Sequence, residues 1–185
     1  MITATTFDNI LDHDRMSSYV LNFTMDDIVL QPKIKVAFPY KEIDNKVILE
    51  TKYCPLLGDI VNSSLDIDTK AFLINKAFRI GVPYYCGLNS KLDTICHMAT
   101  VDLCCKLDNV CSVINMANVY GQSPLYNAII TNDFDKASYL VDNDACLFTK
   151  NIFTSLCPYD LIYNIESNNN FKYDLLLQKV MAKLV

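Results

Sequence analysis

The feature that most constrains this fold is a pair of short apolar helix patterns bounded by turns, written in residues 118–145. Ser123 suits a helix N-cap, and Pro124 suits the first helical position, where its missing N–H costs nothing. One face of this helix collects three apolar residues, Leu125, Ala128 and Ile129. Two helices this short cannot bury their apolar faces alone, so the pattern predicts a stack of such units.

Residues 118–145 resemble the ankyrin repeat, whose signature is a turn ending in Gly-x-Thr-Pro-Leu-His-x-Ala followed by two antiparallel helices. Six residues fall on that motif, with Ser for Thr and Tyr for His: Gly121, Ser123, Pro124, Leu125, Tyr126 and Ala128. Asn132-Asp133 stands where the family has Gly-His, and Asp144-Ala145 stands for its closing Gly-Ala. The resemblance implies an all-α solenoid.

Weaker copies of the unit lie on both sides, at Cys54–Asp59, Thr94–Ala99 and Cys157–Ile162. Ile95 takes the Pro position upstream of Pro124, at an interval about four residues short of one ankyrin period. Pro158 follows Pro124 at close to the full ankyrin period of about 33 residues. We therefore expect about four ankyrin repeats in residues 53–185, one well formed and three degenerate.

The repeat pattern also predicts individual helices and buried residues. Helix pairs are expected near 55–63 and 69–80, 94–103 and 108–116, 124–131 and 134–142, and 158–166 and 171–183. Leu125, Ala128 and Leu140 should be buried between repeats. The outer face of a terminal repeat needs polar residues, and we expect Lys172, Lys179 and Lys183 to supply them.

Residues 1–52 do not follow the repeat pattern. Short alternating apolar runs, one over Ile34–Phe38 and one over Val47–Leu49, indicate strands, and the Glu42–Lys46 segment indicates a hairpin turn. A short helix near residues 7–20 is expected before them. We interpret residues 1–52 as an N-terminal cap on the first repeat, with a divergent repeat as the alternative.

Composition and charge argue against several classes of function. The formal charge is −5, which does not favour binding to nucleic acid or to an anionic membrane surface. The start of the chain lacks the basic front and apolar run of a secretory signal. Eight Cys, mostly beside apolar residues, indicate free core thiols in a reducing compartment, so we expect a cytoplasmic protein. Only four Gly are present, so Asn and Asp should make most tight turns.

The possible chemical residues cluster near His97. His97 lies two helical turns before Cys104, so a single helix would present both on one face, with Cys96, Cys105 and Cys111 nearby. A Cys–His nucleophile or a zinc site is the distant alternative. The resemblance places His97 at the family's capping His position and the cysteines in the core. We therefore expect no catalysis, no metal and no cofactor.

Residues exposed at the turns are the candidates for partner binding. In the ankyrin family the turns project like fingers and the first helices line a concave face. The candidates are Tyr85, Leu88, Asn89, Val119, Tyr120, Gln122, Asn127, Ile130, Ile152 and Phe153. Exposed apolar and aromatic residues often mark contact sites. The alternative is that they pack on the next repeat or on the N-terminal cap.

The sequence therefore favours a monomeric, non-catalytic protein-binding protein. Its richness in Asn, Asp, Ile, Lys and Tyr and its degenerate repeats resemble the ankyrin host-range and immune-evasion proteins of poxviruses. Those proteins are similar in fold to cellular inhibitors of NF-κB. The resemblance implies a host protein of the NF-κB pathway or an antiviral effector as the partner. A cellular ankyrin adaptor, or a fragment of a longer array, is the alternative.

Overall fold

The chain divides into two compact units, Met1–Leu88 and Asn89–Val185. The computed structural model describes residues 17–21, 40–43, 46–51, 56–79, 86, 93–108, 110–166 and 171–183. The first unit contains β1 (Ser17–Leu21), β2 (Tyr40–Ile43), β3 (Lys46–Thr51), α1 (Leu56–Asn62) and α2 (Ile67–Arg79). The second contains α3 (Ile95–Met98), α4 (Val101–Cys104), α5 (Val110–Val113), α6 (Pro124–Ile130), α7 (Phe134–Asp142), α8 (Pro158–Glu166) and α9 (Phe171–Lys183). The boundary expected after residue 52 stays a prediction.

The strands of the first unit form a three-stranded antiparallel sheet with β3 in the centre. Ile43 pairs with Lys46, so β2 and β3 form a hairpin at the turn indicated by the sequence. The helix expected near residues 7–20 is wrong for residues 17–20, which pair with β3. Ser, Tyr and Val are modest helix formers, and here they form a strand that pairs with the edge of β3 opposite β2. The apolar run at Ile34–Phe38 lies outside the described residues.

The helix pair α1 and α2 follows the sheet within the first unit. Asp66 accepts a hydrogen bond from the backbone N–H of Thr69 at 2.9 Å, which satisfies a free donor at the start of α2. Gly58 is required by close packing, because a Cβ at this position would lie 1.9 Å from the carbonyl oxygen of Cys86.

The second unit arranges its helices in two rows. α6 contacts α3 and α8, while α7 contacts α4 and α9. Within the successive pairs, α6 contacts α7 and α8 contacts α9. First helices therefore pack on first helices and second helices on second helices. From Leu56 onward, the regular elements of the described residues are all helices.

One unit is shorter than a full ankyrin period because its first helix, α3, is short. α4 begins at Val101 and α7 at Phe134, an interval equal to the ankyrin period of about 33 residues. The interval from the start of α3 to the start of α6 is shorter by about four residues. α3 has four residues and α6 has seven. The helix expected over 94–103 is thus wrong, because it breaks at Ala99 and restarts as α4. The helix expected over 108–116 is confirmed in part as α5.

Asn and Asp end the helices of the central pair, as the low glycine content predicts. Asn132 has φ 56° and Asp144 has φ 62°, both in the left-handed region. After α6, Asp133 N–H donates to the Ala128 carbonyl at 2.9 Å. After α7, Ala145 N–H donates to the Leu140 carbonyl at 2.9 Å. These bonds are those of the Schellman motif, which satisfies carbonyls left free at a helix end.

The core of the second unit lies between the helix pairs. Leu125, Ala128 and Leu140 are buried, which confirms the prediction for all three. The Tyr173 hydroxyl of α9 donates to the Ile129 carbonyl of α6 at 3.1 Å, so this polar group is also satisfied inside the core.

The three lysines of α9 are exposed, as expected, but they are directed toward α7 or the turn after it. Lys179 binds Ser138 and Asp142, each at 2.7 Å. Lys183 donates to the Val141 carbonyl at 2.6 Å and lies 2.6 Å from Asp144. Lys172 lies over the Phe134 ring, 5.8 Å from its centroid. All three lysines therefore reach back to α7 or to the turn after it, and Lys183 adds a donor to the carbonyls at the end of α7.

The seven cysteines that the structure describes are free thiols. Cys54 lies outside the described residues. Four are buried, as expected for core residues: Cys86, Cys96, Cys104 and Cys157. Cys105, Cys111 and Cys146 are exposed, so their assignment to the core is wrong. In the described part of the chain, no three His, Cys, Asp or Glu residues are grouped to hold a metal ion, and no helix has the length and hydropathy to cross a membrane.

We expect Leu140→Ala to lower the free energy of unfolding by about 2–5 kcal/mol, because it leaves a cavity between helix pairs. Urea denaturation followed by circular dichroism measures this change. Leu175→Ala is the matched control, because Leu175 on α9 is exposed and its truncation leaves no cavity. Equal losses in the two variants would contradict the packing described for Leu140.

Candidate functional site

Two turns of the second unit are held in the same way by a buried asparagine. Asn118 and Asn151 are both buried and lie one ankyrin period apart, about 33 residues. The Asn118 Oδ1 accepts from the backbone N–H of Tyr120 at 3.0 Å and of Gln122 at 3.1 Å. The Asn151 Oδ1 accepts from the N–H of Phe153 at 2.8 Å and of Thr154 at 3.0 Å. Each asparagine therefore fixes the backbone that carries the residues at the tip of its turn.

The second turn is one residue longer than the first. Asn118 N–H donates to the Gln122 carbonyl, whereas Asn151 N–H donates to the Leu156 carbonyl, both at 2.9 Å. The left-handed position is Gly121 in the first turn, with φ 72°, and Ser155 in the second, with φ 59°. This insertion explains why the interval from Pro124 to Pro158 exceeds the interval from Asn118 to Asn151 by one position.

His97 links its own helix to the next turn. The Thr94 backbone N–H donates to Nδ1 of His97 at 3.1 Å, so the proton of the neutral ring lies on Nε2. Nε2 donates to the Gln122 carbonyl at 2.9 Å. Burial lowers the pKa of His97, although its hydrogen bond to Gln122 and the nearby Asp93 oppose this effect. The structure thus places His97 as a neutral link between consecutive turns.

Tyr126 makes the corresponding link one unit later. Its backbone N–H is capped by Ser123 at 3.2 Å, and its hydroxyl lies 3.1 Å from Oγ1 of Thr154. Thr154 belongs to the turn held by Asn151. Tyr therefore replaces His at this position while still reaching the following turn, since the phenol is longer than the imidazole.

The tips of the two turns contact each other. The rings of Tyr120 and Phe153 have centroids 5.7 Å apart and are tilted by 54°. Ile152 packs on Gly121, where an added Cβ would lie 2.9 Å from the Ile152 nitrogen. Phe153 is 70% exposed and Ile152 is 67% exposed. We call the surface formed by Val119, Tyr120, Ile152 and Phe153 the tip ridge.

The other candidate residues are more dispersed. Ile130 is exposed on α6, and Asn127 is half-buried one turn before it on the same helix. Gln122 is half-buried, and its side chain accepts a hydrogen bond from Asn118 at 3.1 Å, so it helps to hold the turn. Tyr85, Leu88 and Asn89 lie outside the described residues.

Sequence reasoning missed the asparagine that holds the second turn and several exposed apolar residues. Asn151 was not singled out, although its distance from Asn118 gives the repeat period directly. Three further exposed apolar residues were also missed: Phe148, Leu156 and Tyr163. Nothing in their local sequence distinguishes them from core residues.

The cysteines near His97 do not form a Cys–His pair of the catalytic kind. Both ring nitrogens of His97 are already bonded, to Thr94 and to Gln122, so neither is free to take a proton from a thiol. A hydrogen bond with Cys96 lowers the pKa of the buried Cys104, although burial opposes it. Lys136 is buried beside them and donates to the His97 carbonyl at 2.7 Å. The arrangement supports the capping role of His97.

We expect acid to destabilise the protein through His97. Unfolded histidine takes up a proton near its ordinary pKa of 6.5, whereas folded His97 resists protonation because burial lowers its pKa. Its contribution is present above pH 6.5 and is lost as the pH falls through the folded pKa. The loss is at most about 1.4 kcal/mol per pH unit, the value for one proton. Urea denaturation at pH 7.5 and 5.5 should show a smaller difference for His97→Gln than for the wild type, and equal differences would contradict this role.

We also expect Asn151→Ala to destabilise the second turn, because two backbone N–H groups lose their acceptor. The loss should be about 1–3 kcal/mol, as for unsatisfied buried donors. Chemical denaturation measures it, and Asn127→Ala, at a half-buried position on α6, is the control. A loss no greater than that of the control would show that Asn151 does not hold the turn.

Comparison of the chain with protein-family models, with curated proteins and with solved structures finds no match in any of the three. The resemblance of residues 118–145 to the ankyrin repeat therefore stays a prediction from sequence. The tip ridge and the turns that hold it are the features from which a function is inferred.

Proposed function

We propose that this chain is a non-catalytic protein-binding protein built from ankyrin-like repeats, and that the tip ridge contacts its partner. The observation that carries the proposal is the tip ridge itself, in which the exposed Phe153 ring touches the half-buried Tyr120 ring and an exposed isoleucine, Ile152, lies beside them. Both turns are fixed by buried asparagines.

The exposure of the tip ridge favours a contact role. Ile152 and Phe153 leave most of their apolar surface in water, which is unfavourable unless a partner covers it. Aromatic residues on a rigid backbone also lose little conformational freedom on binding. A few such residues commonly supply most of the affinity of an interface.

The arrangement of the helices supports the repeat part of the proposal. First helices pack on first helices and second helices on second helices, and the interval from the start of α4 to the start of α7 equals the interval from Asn118 to Asn151. His97 and Tyr126 each bond to the turn of the next unit. Such contacts between neighbours are what a stack of repeats requires for stability.

The tip ridge lies at the tips of two turns and is largely apolar, so it fits a partner that offers an apolar groove or pocket. We further propose that this partner is a host protein of the NF-κB pathway or an antiviral effector, met in the cytoplasm. The support for this finer proposal is the resemblance in composition and repeat sequence to the poxvirus ankyrin proteins. Affinity purification from cells with an active innate response, followed by mass spectrometry, identifies the candidates.

The test compares the wild type with the double variant Tyr120→Ala, Phe153→Ala. Because residues of this kind carry about 2 kcal/mol or more at an interface, we expect the affinity for a purified partner to fall at least about 30-fold. Titration calorimetry with the purified partner measures the change. Both truncations remove exposed or half-buried rings, so the melting temperature should change little.

The matched control is Asp135→Ala with Leu175→Ala, two exposed changes on second helices, away from the turns. A partner qualifies only if it binds the wild type and this control but not the tip-ridge variant. If the folded tip-ridge variant keeps full affinity for every partner that binds the wild type, the tip ridge is not the binding surface.

A further inference from the structure

A second apolar surface lies on the side of α8 that faces away from α6. Tyr159 and Tyr163 follow Leu125 and Ile129 of α6 at the same interval at which Pro158 follows Pro124, so they hold the same positions on their helix. Leu125 and Ile129 are fully buried and belong to the cluster that α8 and α9 complete. Tyr163 is 58% exposed. The side of a helix pair that receives the next pair is thus apolar here too, but open.

An aromatic row runs along this surface. The rings of Phe148 and Tyr159 have centroids 5.6 Å apart, and those of Tyr159 and Tyr163 lie 6.4 Å apart and nearly parallel, at 16°. Phe148 is 54% exposed. Three touching rings, two of them mostly in water, form a larger continuous apolar area than single surface residues do.

Met181 is an exposed apolar residue of α9, the helix that packs on α8. Lys179 and Lys183, two residues before and after it, both reach back to α7. Residues two positions apart lie on opposite sides of a helix, so Met181, which is 48% exposed, lies on the side away from α7. We call the surface formed by Phe148, Tyr159, Tyr163 and Met181 the terminal face.

We propose that the terminal face binds the terminal face of a second copy of this chain, giving a two-fold dimer. The terminal face continues the kind of packing seen between α6/α7 and α8/α9, in which one antiparallel helix pair covers another. A second copy offers such a pair, and a two-fold axis sets rings against rings. The proposal replaces the monomer expected from the sequence, and it concerns a surface other than the tip ridge.

Charge favours this occupant. The α9 lysines bind α7, the turn after it or the Phe134 ring, so a second copy does not meet them as like charges. Near the aromatic row, Asp160 accepts a hydrogen bond from the Cys157 N–H at 2.9 Å, which is the main cause of its lowered pKa, and the charge of Lys150 lowers that pKa further. A surface with a negative and a positive residue at its edge can pack against a second copy of itself so that opposite charges pair.

The size of the terminal face predicts a weak dimer. A 13-residue helix is about 20 Å long, and two helices side by side span about 20 Å, so the area is about 400 Å². Stable interfaces usually bury about 800 Å² on each partner. We therefore expect a dissociation constant of about 10–100 µM.

Sedimentation velocity of the full chain at about ten concentrations, from about 5 to about 500 µM, tests the proposal. This range brackets the expected dissociation constant of the dimer. We expect the dimer fraction to rise with concentration. In the double variant Tyr163→Glu, Met181→Glu, we expect the dissociation constant of the dimer to be at least about tenfold larger. Leu175→Glu is the control on the same helix, because Leu175 shares the side of Lys172 and Lys179 at helical spacing. It should dimerise like the wild type.

The variant Tyr120→Ala, Phe153→Ala separates this proposal from the proposed function, since it should still dimerise. A chain that stays monomeric at every concentration overturns the dimer, and so does a dimer that survives Tyr163→Glu, Met181→Glu. A dimer lost in the tip-ridge variant but kept in the terminal-face variant also overturns it. If the glutamate variant is unfolded by circular dichroism, Tyr163→Ser with Met181→Gln replaces it under the same criteria.

Discussion

Buried backbone polar groups must find partners, and the second unit depends on how its turns meet this requirement. A turn that leaves a helix pair and returns to the next one cannot use helix or sheet hydrogen bonds. Asn118 and Asn151 supply the missing acceptors from their side chains, and His97 and Tyr126 join each turn to its neighbour. The rings of the tip ridge are therefore carried by turns whose backbone N–H groups are bonded to buried asparagines.

The sequence predicts the helix pairs well where local signals and stacking agree. Ser123, Pro124 and the apolar face that follows them fix α6, and Asn132 and Asp144 end the two central helices in the left-handed conformation that glycine usually takes. The break at Ala99 could not be predicted, because Thr94–Cys104 has enough apolar residues for one continuous helix. Two features accompany the break: Thr100 caps α4 by accepting from the Leu103 N–H at 3.3 Å, and α4 keeps its contact with α7.

The site was harder to predict than the fold, for a related reason. Periodicity places residues on turns, and it put Tyr120 and Phe153 at two turns where the structure also has them. It cannot say that their rings touch, since that depends on the extra residue before Ser155 and on how Ile152 settles over Gly121. The lysines of α9 show the same limit: periodicity predicts that they are exposed, but it does not predict that Lys183 donates to the Val141 carbonyl at the end of α7.

Lys183 makes the hydrogen bonding at the end of α7 depend on the last turn of α9. It stands in the last turn of α9 and yet holds the carbonyls of Val141 and Asp142, far earlier in the sequence, where α7 ends. A truncation that removes only the last turn of α9 thus uncaps a helix in the best-formed unit. A fragment that keeps the central helix pair intact must therefore extend to Lys183, well beyond the residues that form the pair.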